Sequence, residues 1–336
     1  MKLLTISIAA YNVENYLEKT LKSLCDERYI NDIEILIVDD GSEDDTNIIA
    51  EKFQKRYPAS VRYIAKENGG HGSTINKGIE LATGRYFRVI DGDDSVDSSE
   101  FAKYIDLLRN QNNDLIITNY WKVDADGNRY SNGDCVFDEI VEGISYKFDT
   151  TVDTRFFGLD TITVKTCLLK EAGMHITEHC YYVDVEFVAW ALYVSNDYIY
   201  YNNKNYLYLS VNTSQNSVTK NNMLKNVSMQ KQVDLQLCKL YEHFLQNDTF
   251  NRNKQGILME RIILSVGATY RTYLLYDTAK KSKRYIKSLD QEIQKESETV
   301  YKKLADDRFI RYIRSFNYLS IGLARIAYQI YLNRKK

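Results

Sequence analysis

The chain has 336 residues, of which 44% are hydrophobic and 27% charged, so it has the composition of an ordinary globular protein with one or two domains. Its formal net charge of −2 excludes a general nucleic-acid binder, because such a protein needs many basic contacts with phosphates. Five isolated cysteines exclude a zinc-finger pattern, and with an N-terminal stretch too short for a signal peptide they predict a cytoplasmic protein with reduced thiols.

Predicted strands and helices alternate along the first half of the chain. Apolar runs predict strands at 3–11, 34–40, 61–67, 85–91 and 114–123. Apolar residues at helical spacing predict helices between them, at 14–24, around Phe53, at 73–83 and at 99–110. This alternation predicts an α/β fold with a mostly parallel sheet covered by helices, in which ligands bind at the carboxyl ends of the strands.

Two acidic clusters follow predicted strands. Asp39 and Asp40 close the second strand, and Asp91, Asp93 and Asp94 close the fourth. Because the carboxyl ends of parallel strands meet at one edge of a sheet, we expect both clusters to face the same crevice. Crowded carboxylates either protonate or bind a hard divalent cation, so the pattern predicts a Mg²⁺ or Mn²⁺ site. The alternative is an ordinary turn before a helix that is capped by one of four residues, Asp94, Ser95, Ser98 or Ser99.

Four sequence motifs occur in a characteristic order: SIAAYN, ILIVDDGSEDDT, ENGGHGSTINKGIELATGRYFRVIDGDD and YYVDVEF. In their order and spacing, from residue 3 to about residue 220, the chain resembles the family 2 glycosyltransferases of bacterial polysaccharide biosynthesis. The resemblance implies a GT-A catalytic domain with a Rossmann-like sheet at 1–220 and a helical C-terminal region at 221–336. It also implies a non-processive, inverting transfer of a sugar from a nucleotide-diphosphate sugar, with UDP favoured, to a carbohydrate or lipid-linked acceptor.

The resemblance assigns a set of residues to the nucleotide: Ala10, Tyr11, Asp40, Asn68, His71, Asp91 and Gly92. Tyr11 would form a wall against the nucleobase, and Asp40, or alternatively Asp39, would accept a hydrogen bond from the N–H of uracil. His71 stands in a glycine-rich loop before a predicted helix, where backbone N–H groups can meet a diphosphate. A packed core tyrosine and a simple tight turn are the alternatives for Tyr11 and for this loop.

By the same resemblance, Asp93 is the leading metal ligand, Asp91 lies near both the ribose and the metal, and Asp94 supports either. The metal, Mg²⁺ or Mn²⁺, would span the two phosphates and neutralise the charge on the departing nucleoside diphosphate. Metal dependence of the transfer is therefore expected.

An inverting transfer needs a base that takes the proton of the acceptor hydroxyl. Asp184 is the candidate, because the pattern of YYVDVEFVAWALYV places it at the start of a helix, whose dipole favours the ionised carboxylate. Glu186 is the competing candidate on a different face of that helix. The alternative for Asp184 is a helix capper without a catalytic role.

The sequence also departs from the family pattern. Val183 replaces the first residue of the usual acidic pair, and Ile75 stands where the family commonly has an arginine that helps to hold the nucleotide. We expect another donor, His71 or Lys66, to compensate for that arginine. No QxxRW motif is found, which argues against a processive membrane synthase.

The chain becomes helical after residue 220 and ends in a basic segment. Arg308 to Lys336 holds seven basic residues and no acidic one, while apolar residues recur near the helical period at Ile313, Phe316, Leu323, Ile326 and Ile330. Such a helix either lies on an anionic membrane surface, here the inner face of the plasma membrane, or packs on the protein or on a second subunit of a homo-oligomer.

Two other functions fit parts of the sequence. VIDGDDS resembles the start of haloacid-dehalogenase-type phosphatases, in which Asp91 would be the nucleophile and Asp93 the acid. The acidic pair that should follow it precedes it here, so hydrolysis is the weaker hypothesis. A catalytically inactive GT-A scaffold in a polysaccharide-assembly complex is the non-enzymatic alternative, supported by Val183 and Ile75.

Overall fold

The structure is a computed structural model that describes residues 2–130, 140–148, 158–210 and 219–334. The chain divides into two units, Met1–His179 with Val183–Asn212 and Cys180–Tyr182 with Thr213–Lys336. The first unit carries the described strands, and the second is helical. Cys25, Cys167, Cys180 and Cys238 form no disulfide with one another, and Cys135 lies outside the described residues.

The strands of the first unit, in chain order, are β1 (Leu4–Ala10), β2 (Ile33–Asp39), β3 (Val61–Ala65), β4 (Tyr86–Asp91), β5 (Ser95–Val96), β6 (Leu115–Ile117), β7 (Tyr120–Val123), β8 (Arg129–Tyr130), β9 (Ser145–Lys147), β10 (Ile162–Lys165), β11 (Asp197–Tyr200) and β12 (Tyr206–Leu209). Its helices are α1 (Leu17–Leu24), α2 (Thr46–Arg56), α3 (His71–Leu81), α4 (Ser98–Arg109), α5 (Thr166–Glu171) and α6 (Asp184–Val194).

The main sheet brings the predicted acidic clusters to one edge. Its strand order is β3-β2-β1-β4-β10-β6-β11-β9, and the first four strands are parallel. In this register Ala10 lies opposite Asp39, and Ala9 lies opposite Asp91. Asp39 and Asp91 therefore end their strands at the same edge of the sheet, as predicted. Continuous apolar runs such as ILIV fill strands that are buried on both faces.

One predicted strand is wrong. The segment 114–123 forms two strands, β6 in the main sheet and β7 in a second sheet of order β5-β12-β7-β8. The chain leaves the main sheet at Thr118, whose N–H donates to the Thr161 carbonyl at 2.8 Å, and Asn119, whose N–H donates to the Asn203 carbonyl at 3.0 Å. Both residues are polar but buried, so the break falls at the polar pair inside DLIITNYWKV, which the prediction includes in one strand.

Helix ends differ from prediction by a few residues. α1 begins at Leu17, after a turn in which the Tyr16 N–H donates to the Val13 carbonyl at 2.9 Å. The cap of α4 is Asp97, which accepts hydrogen bonds from the N–H groups of Ser99 and Glu100. The predicted caps, Asp94, Ser95, Ser98 and Ser99, are therefore wrong. Asp97 immediately precedes the helix, so its side chain reaches two backbone N–H groups of the first turn that have no partner within the helix.

The second unit consists of α7 (Lys220–Phe244), α8 (Arg252–Leu274), α9 (Ala279–Glu296), α10 (Glu298–Lys303), α11 (Arg308–Tyr318) and α12 (Ile321–Arg334). A buried cluster around Asp290 ties three of them together, because its carboxylate accepts hydrogen bonds from Tyr270 of α8 and from Arg314 and Tyr318 of α11. Within the described residues, none of the helices has the length and hydropathy that a bilayer crossing requires.

Candidate active site

The ends of β1 and β4 form the floor of the site. Ala10 is buried, and its carbonyl accepts the N–H of Asp40 at 2.9 Å. The N–H of Gly92 donates to the Ala9 carbonyl at 3.0 Å, and a Cβ at Gly92 would lie 2.9 Å from that same oxygen. Only glycine therefore fits at position 92, directly between the two metal-ligand candidates Asp91 and Asp93.

Asp40 holds the loop that follows β3. Its Oδ1 accepts hydrogen bonds from Lys66 Nζ at 2.6 Å and from the Gly69 N–H at 2.8 Å, and its Oδ2 accepts the Gly70 N–H at 2.7 Å. The residue is 3% exposed. Both carboxylate oxygens thus hold the loop, and the hydrogen bond from uracil to Asp40 stays a prediction.

The expected substitutes for the missing arginine are also engaged. Lys66 is paired with Asp40, and His71 lies beside Asp91. Ile75 is fully buried, so its side chain offers nothing to a ligand. Tyr11 is 47% exposed, which excludes the packed core tyrosine that was its alternative. Asn68 is exposed, and its Nδ2 donates to the Asp40 carbonyl at 2.9 Å.

His71 is the first residue of α3, two residues before the predicted start of that helix. Gly70 before it has φ 80°, a left-handed conformation that glycine adopts without strain. A Cβ at Gly72 would lie 2.1 Å from the Thr177 carbonyl oxygen, so the loop packs closely against the segment that leads towards α6. The glycines of this loop thus serve its close packing, and they place the imidazole at the sheet edge.

His71 joins the acidic groups electrostatically. Its Nε2 lies 3.2 Å from Oδ1 of Asp91. Burial lowers the pKa of His71, but the contact with Asp91 and the nearby charges of Asp184 and Asp40 outweigh it, so the pKa is raised overall. The negative charges of Asp91 and Asp184 therefore both favour the protonated form of His71.

Asp91, Asp93 and Asp94 could hold a divalent cation. One carboxylate oxygen from each lies within 4.8 Å of the others. Burial and the charge of Asp91 raise the pKa of Asp93 to about 6, as expected of crowded, buried carboxylates. A set of carboxylate oxygens suits Mg²⁺ or Mn²⁺, so the residues fit the implied metal.

Asp94 has a different setting from its two neighbours. It is 2% exposed, and its oxygens accept hydrogen bonds from the Tyr206 hydroxyl at 2.5 Å and the Leu209 N–H at 2.6 Å. Burial and the charges of Asp91 and Asp93 raise its pKa well above the ordinary value. These contacts attach the acidic turn to β12, and they leave Asp91 and Asp93 as the better metal ligands.

Asp184 and Glu186 lie in the first turn of α6 but in different surroundings. Asp184 is exposed, whereas Glu186 is 0% exposed. Glu186 Oε2 accepts the Thr177 N–H at 2.9 Å, and burial raises its pKa to about 7. The pKa of Asp184 is also raised, first by desolvation of its carboxylate, while the charge of His71 opposes the shift. Accessibility therefore favours Asp184 over Glu186 as a base.

The structure adds one acidic residue that sequence reasoning missed. Asp160 lies in a 3-10 turn at Leu159–Thr161, and its carbonyl accepts a hydrogen bond from the buried Arg88 at 2.7 Å. Its pKa is raised to about 6, first by burial and further by the charges of Asp91 and Asp184. An isolated aspartate before the apolar run ITVK is a weak sequence signal, so only the fold reveals this neighbour of the site.

Comparison with known proteins identifies relatives of the first unit. Residues 5–170 match the family model described as Glycosyl transferase family 2. The uncharacterized glycosyltransferase EpsJ of Bacillus subtilis (strain 168) is 36% identical over 128 residues, which cover 38% of this chain and 37% of that protein. The minor teichoic acid biosynthesis protein GgaB of the same organism is 31% identical over 114 residues, which cover 34% of this chain and 13% of that protein. The matches thus span 13% to 37% of these relatives' length.

Solved structures share the fold over most of the chain. TarS 1-349 of S. aureus in complex with UDP-GlcNAc is 16% identical with a TM-score of 0.52, covering 91% of this chain and 92% of that chain. The same protein in complex with UDP gives a TM-score of 0.54 at 14% identity, with the same coverage. At such identities the likeness concerns the fold alone. The predicted GT-A type of α/β fold is confirmed.

Proposed function

Since residues 5–170 make this chain a member of glycosyl transferase family 2, we propose that it transfers a sugar from a nucleotide-diphosphate sugar to an acceptor hydroxyl in surface polysaccharide synthesis. The observation that carries this proposal is the cluster of Asp91, Asp93 and Asp94 after β4, in which one carboxylate oxygen of each lies within 4.8 Å of the others, with His71 3.2 Å from Asp91. UDP is the favoured nucleotide, supported by the fold shared with a protein that was solved with UDP and UDP-GlcNAc. The cytoplasmic face of the plasma membrane is the proposed location.

The acidic turn would hold the diphosphate end of the donor. Asp91 and Asp93 would bind Mg²⁺ or Mn²⁺, with Asp94 fixing the turn through Tyr206. When bound, this cation supplies Lewis-acid stabilisation of the charge on the leaving nucleoside diphosphate, a contribution of several kcal/mol. His71, whose pKa is raised, adds a positive charge next to Asp91.

The nucleoside would lie across the ends of β1 and β2. Exposed Tyr11 offers a ring face for the base, and exposed Asn68 offers its amide oxygen. Asp40 would act indirectly, because its carboxylate fixes the backbone of Gly69 and Gly70 next to the nucleotide.

Asp184 would be the base of the inverting transfer. Its exposed carboxylate can reach an acceptor hydroxyl, and its position in the first turn of α6 lets the helix dipole stabilise the ionised form. The raised pKa makes it a stronger proton acceptor than an ordinary aspartate. The proton would pass from the hydroxyl to Asp184 while the oxygen attacks the sugar.

A phosphatase of the haloacid-dehalogenase type is not supported by the surroundings of Asp91. Such an enzyme needs a lysine at the nucleophile, and in the described part of the chain the basic side chain beside Asp91 is that of His71. Turnover of a sugar donor would exclude the alternative of an inactive scaffold.

The direct test is a panel of UDP- and GDP-sugars incubated with the protein and Mn²⁺ or Mg²⁺, with release of the nucleoside diphosphate as the readout. We expect metal-dependent release from at least one UDP-sugar. Release of phosphate from simple phosphomonoesters would support hydrolysis instead, and binding of UDP without turnover of any donor would support the scaffold.

A further inference from the structure

α12 of the second unit is apolar on two opposite faces. Ile321 and Ala324 are buried against the unit, whereas Leu323, Ile326 and Ile330 are 66%, 58% and 49% exposed. The apolar stripe that the sequence predicts therefore points away from the protein, except at its first member Ile313, which is buried in α11. An apolar face of this size in water indicates a binding surface.

The end of α11, whose backbone is not helical from Ser315 to Asn317, forms a turn with Leu319 that extends this face. Phe316 is 82% exposed and Leu319 is 73% exposed. Phe316, Asn317 and Tyr318 have φ values of 48°, 54° and 65°, in the left-handed region that aromatic residues rarely adopt. The Tyr318 hydroxyl anchors this turn by donating to Asp290 Oδ2 at 2.6 Å. The fold thus holds Phe316 and Leu319 in solvent instead of burying them.

We use the name apolar row for Phe316, Leu319, Leu323, Ile326 and Ile330. The row begins at the anchored turn and runs along the outer face of α12.

Basic residues flank the apolar row. The segment from Arg308 to Lys336 has seven basic residues and no acidic one, and of these Arg308 and Arg311 are exposed on α11. In α9 the stretch 280–287 adds five further basic residues without an acidic one. Lys287 Nζ lies 5.2 Å from the ring centroid of Tyr318, so this stretch ends beside the turn.

We propose that the apolar row and its basic flanks bind the surface of an anionic lipid bilayer. Apolar side chains would enter the boundary between headgroups and acyl chains, while the exposed lysines and arginines contact the headgroup phosphates. A second copy of this chain is a poorer occupant, because it would bring together two basic segments that contain no acidic residue. The inference concerns the second unit alone and does not depend on the sugar transfer proposed above.

Vesicle sedimentation of the full chain, without a sugar donor, tests this proposal. We expect binding to vesicles of equal parts phosphatidylglycerol and phosphatidylcholine, weakening as salt is added, and little binding to phosphatidylcholine alone. The double variant Leu323→Gln and Ile326→Gln should lose at least tenfold in partition coefficient. Leu264→Gln is the matched control, since Leu264 of α8 is 51% exposed but lies outside the apolar row.

A second pair of variants tests the contribution of the basic residues that flank the apolar row. Replacing the exposed residues Lys280, Lys281 and Arg284 with Gln should weaken binding about 100-fold, on the basis of about 1 kcal/mol per basic residue. Replacing Lys302 and Lys303 of α10, whose side chains are 71% and 60% exposed and paired with acids, should change it little.

Three outcomes would overturn the proposal. These are no binding of the wild type to anionic vesicles, equal binding of wild type and Leu323→Gln/Ile326→Gln, and a dimer in light scattering that this double variant abolishes. Because the substituted side chains are exposed, circular dichroism and the thermal midpoint should match the wild type, which separates a lost surface from a lost fold.

Discussion

Glu186 provides a direct test of how burial changes the pKa values of the acids in this site. Its side chain is 0% exposed, its Oε2 accepts the Thr177 N–H, and its Oε1 has no hydrogen-bond partner within the described residues. Burial raises the pKa from 4.5 to about 7. We predict that Glu186→Gln stabilises the protein at alkaline pH and leaves catalysis intact.

The size and sign follow from linkage between protonation and folding. Below pH 4.5 the carboxyl is protonated in both states, and its stabilising contribution is fully present. As the pH rises towards 7, the unfolded chain ionises freely while the buried acid resists, so the folded state loses stability. The shift of pKa corresponds to about 3 kcal/mol in total, of which about 2.5 kcal/mol falls between pH 5 and pH 8. The neutral glutamine does not undergo this loss.

The assay is urea unfolding of wild type and Glu186→Gln at pH 5 and pH 8. At each pH, the unfolding free energy of the wild type is subtracted from that of the variant. This difference should be about 2.5 kcal/mol larger at pH 8 than at pH 5. Glu171→Gln, in which an exposed carboxylate of α5 is replaced, is the control for the substitution itself. A pH-independent difference for Glu186→Gln would refute the reasoning from burial. Loss of transfer activity in this variant would identify Glu186 as the base.

Two further predictions concern other acids of the first unit. Asp40→Asn should lower the free energy of unfolding by about 3 kcal/mol, because Lys66 is left largely buried without a counter-charge, and adding Lys66→Met should recover part of the loss. If urea unfolding shows that Asp40→Asn lowers the unfolding free energy by less than about 1 kcal/mol, this role of Asp40 is contradicted. The raised pKa of Asp184 should make kcat/KM fall with decreasing pH above the usual range of an aspartate. Asp160→Asn removes a nearby negative charge and should move this acid limb to lower pH. An unchanged or upward-shifted limb would show that the charge of Asp160 does not act on Asp184.

The sheet edge could be predicted from sequence because its signals are local. Each of β1, β2 and β4 is an apolar run that ends in a small or acidic residue, and parallel pairing then aligns those ends without further information. The motif resemblance supplied the choice of Asp93 and Asp184, which periodicity alone does not distinguish from turn and helix-start residues.

Contacts between distant segments could not be predicted in this way. The break between β6 and β7 depends on the Thr118 N–H meeting the carbonyl of Thr161, which lies far along the chain. Arg88 fixes the turn of Asp160 by donating to its carbonyl, and Asp160 itself belongs to none of the four motifs. The donors that occupy Asp40 likewise come from a loop whose shape is set by its glycines.

The sequence alone does not determine which face of α12 is buried, again because the answer depends on contacts with other segments. Periodicity identifies an apolar stripe, but α12 has apolar residues on both sides, and the packing of Ile321 and Ala324 decides which side faces inward.

The most direct test of the proposed active site combines calorimetric binding of UDP in Mn²⁺ with turnover of the best donor. We predict that Asp184→Asn binds UDP as tightly as the wild type but turns over 10²- to 10⁴-fold more slowly, the range for loss of a general base. Asp93→Asn should lose the metal-dependent part of UDP binding. Wild-type turnover by Asp184→Asn, or UDP affinity that is the same with Mn²⁺ and with a chelator, would contradict the account.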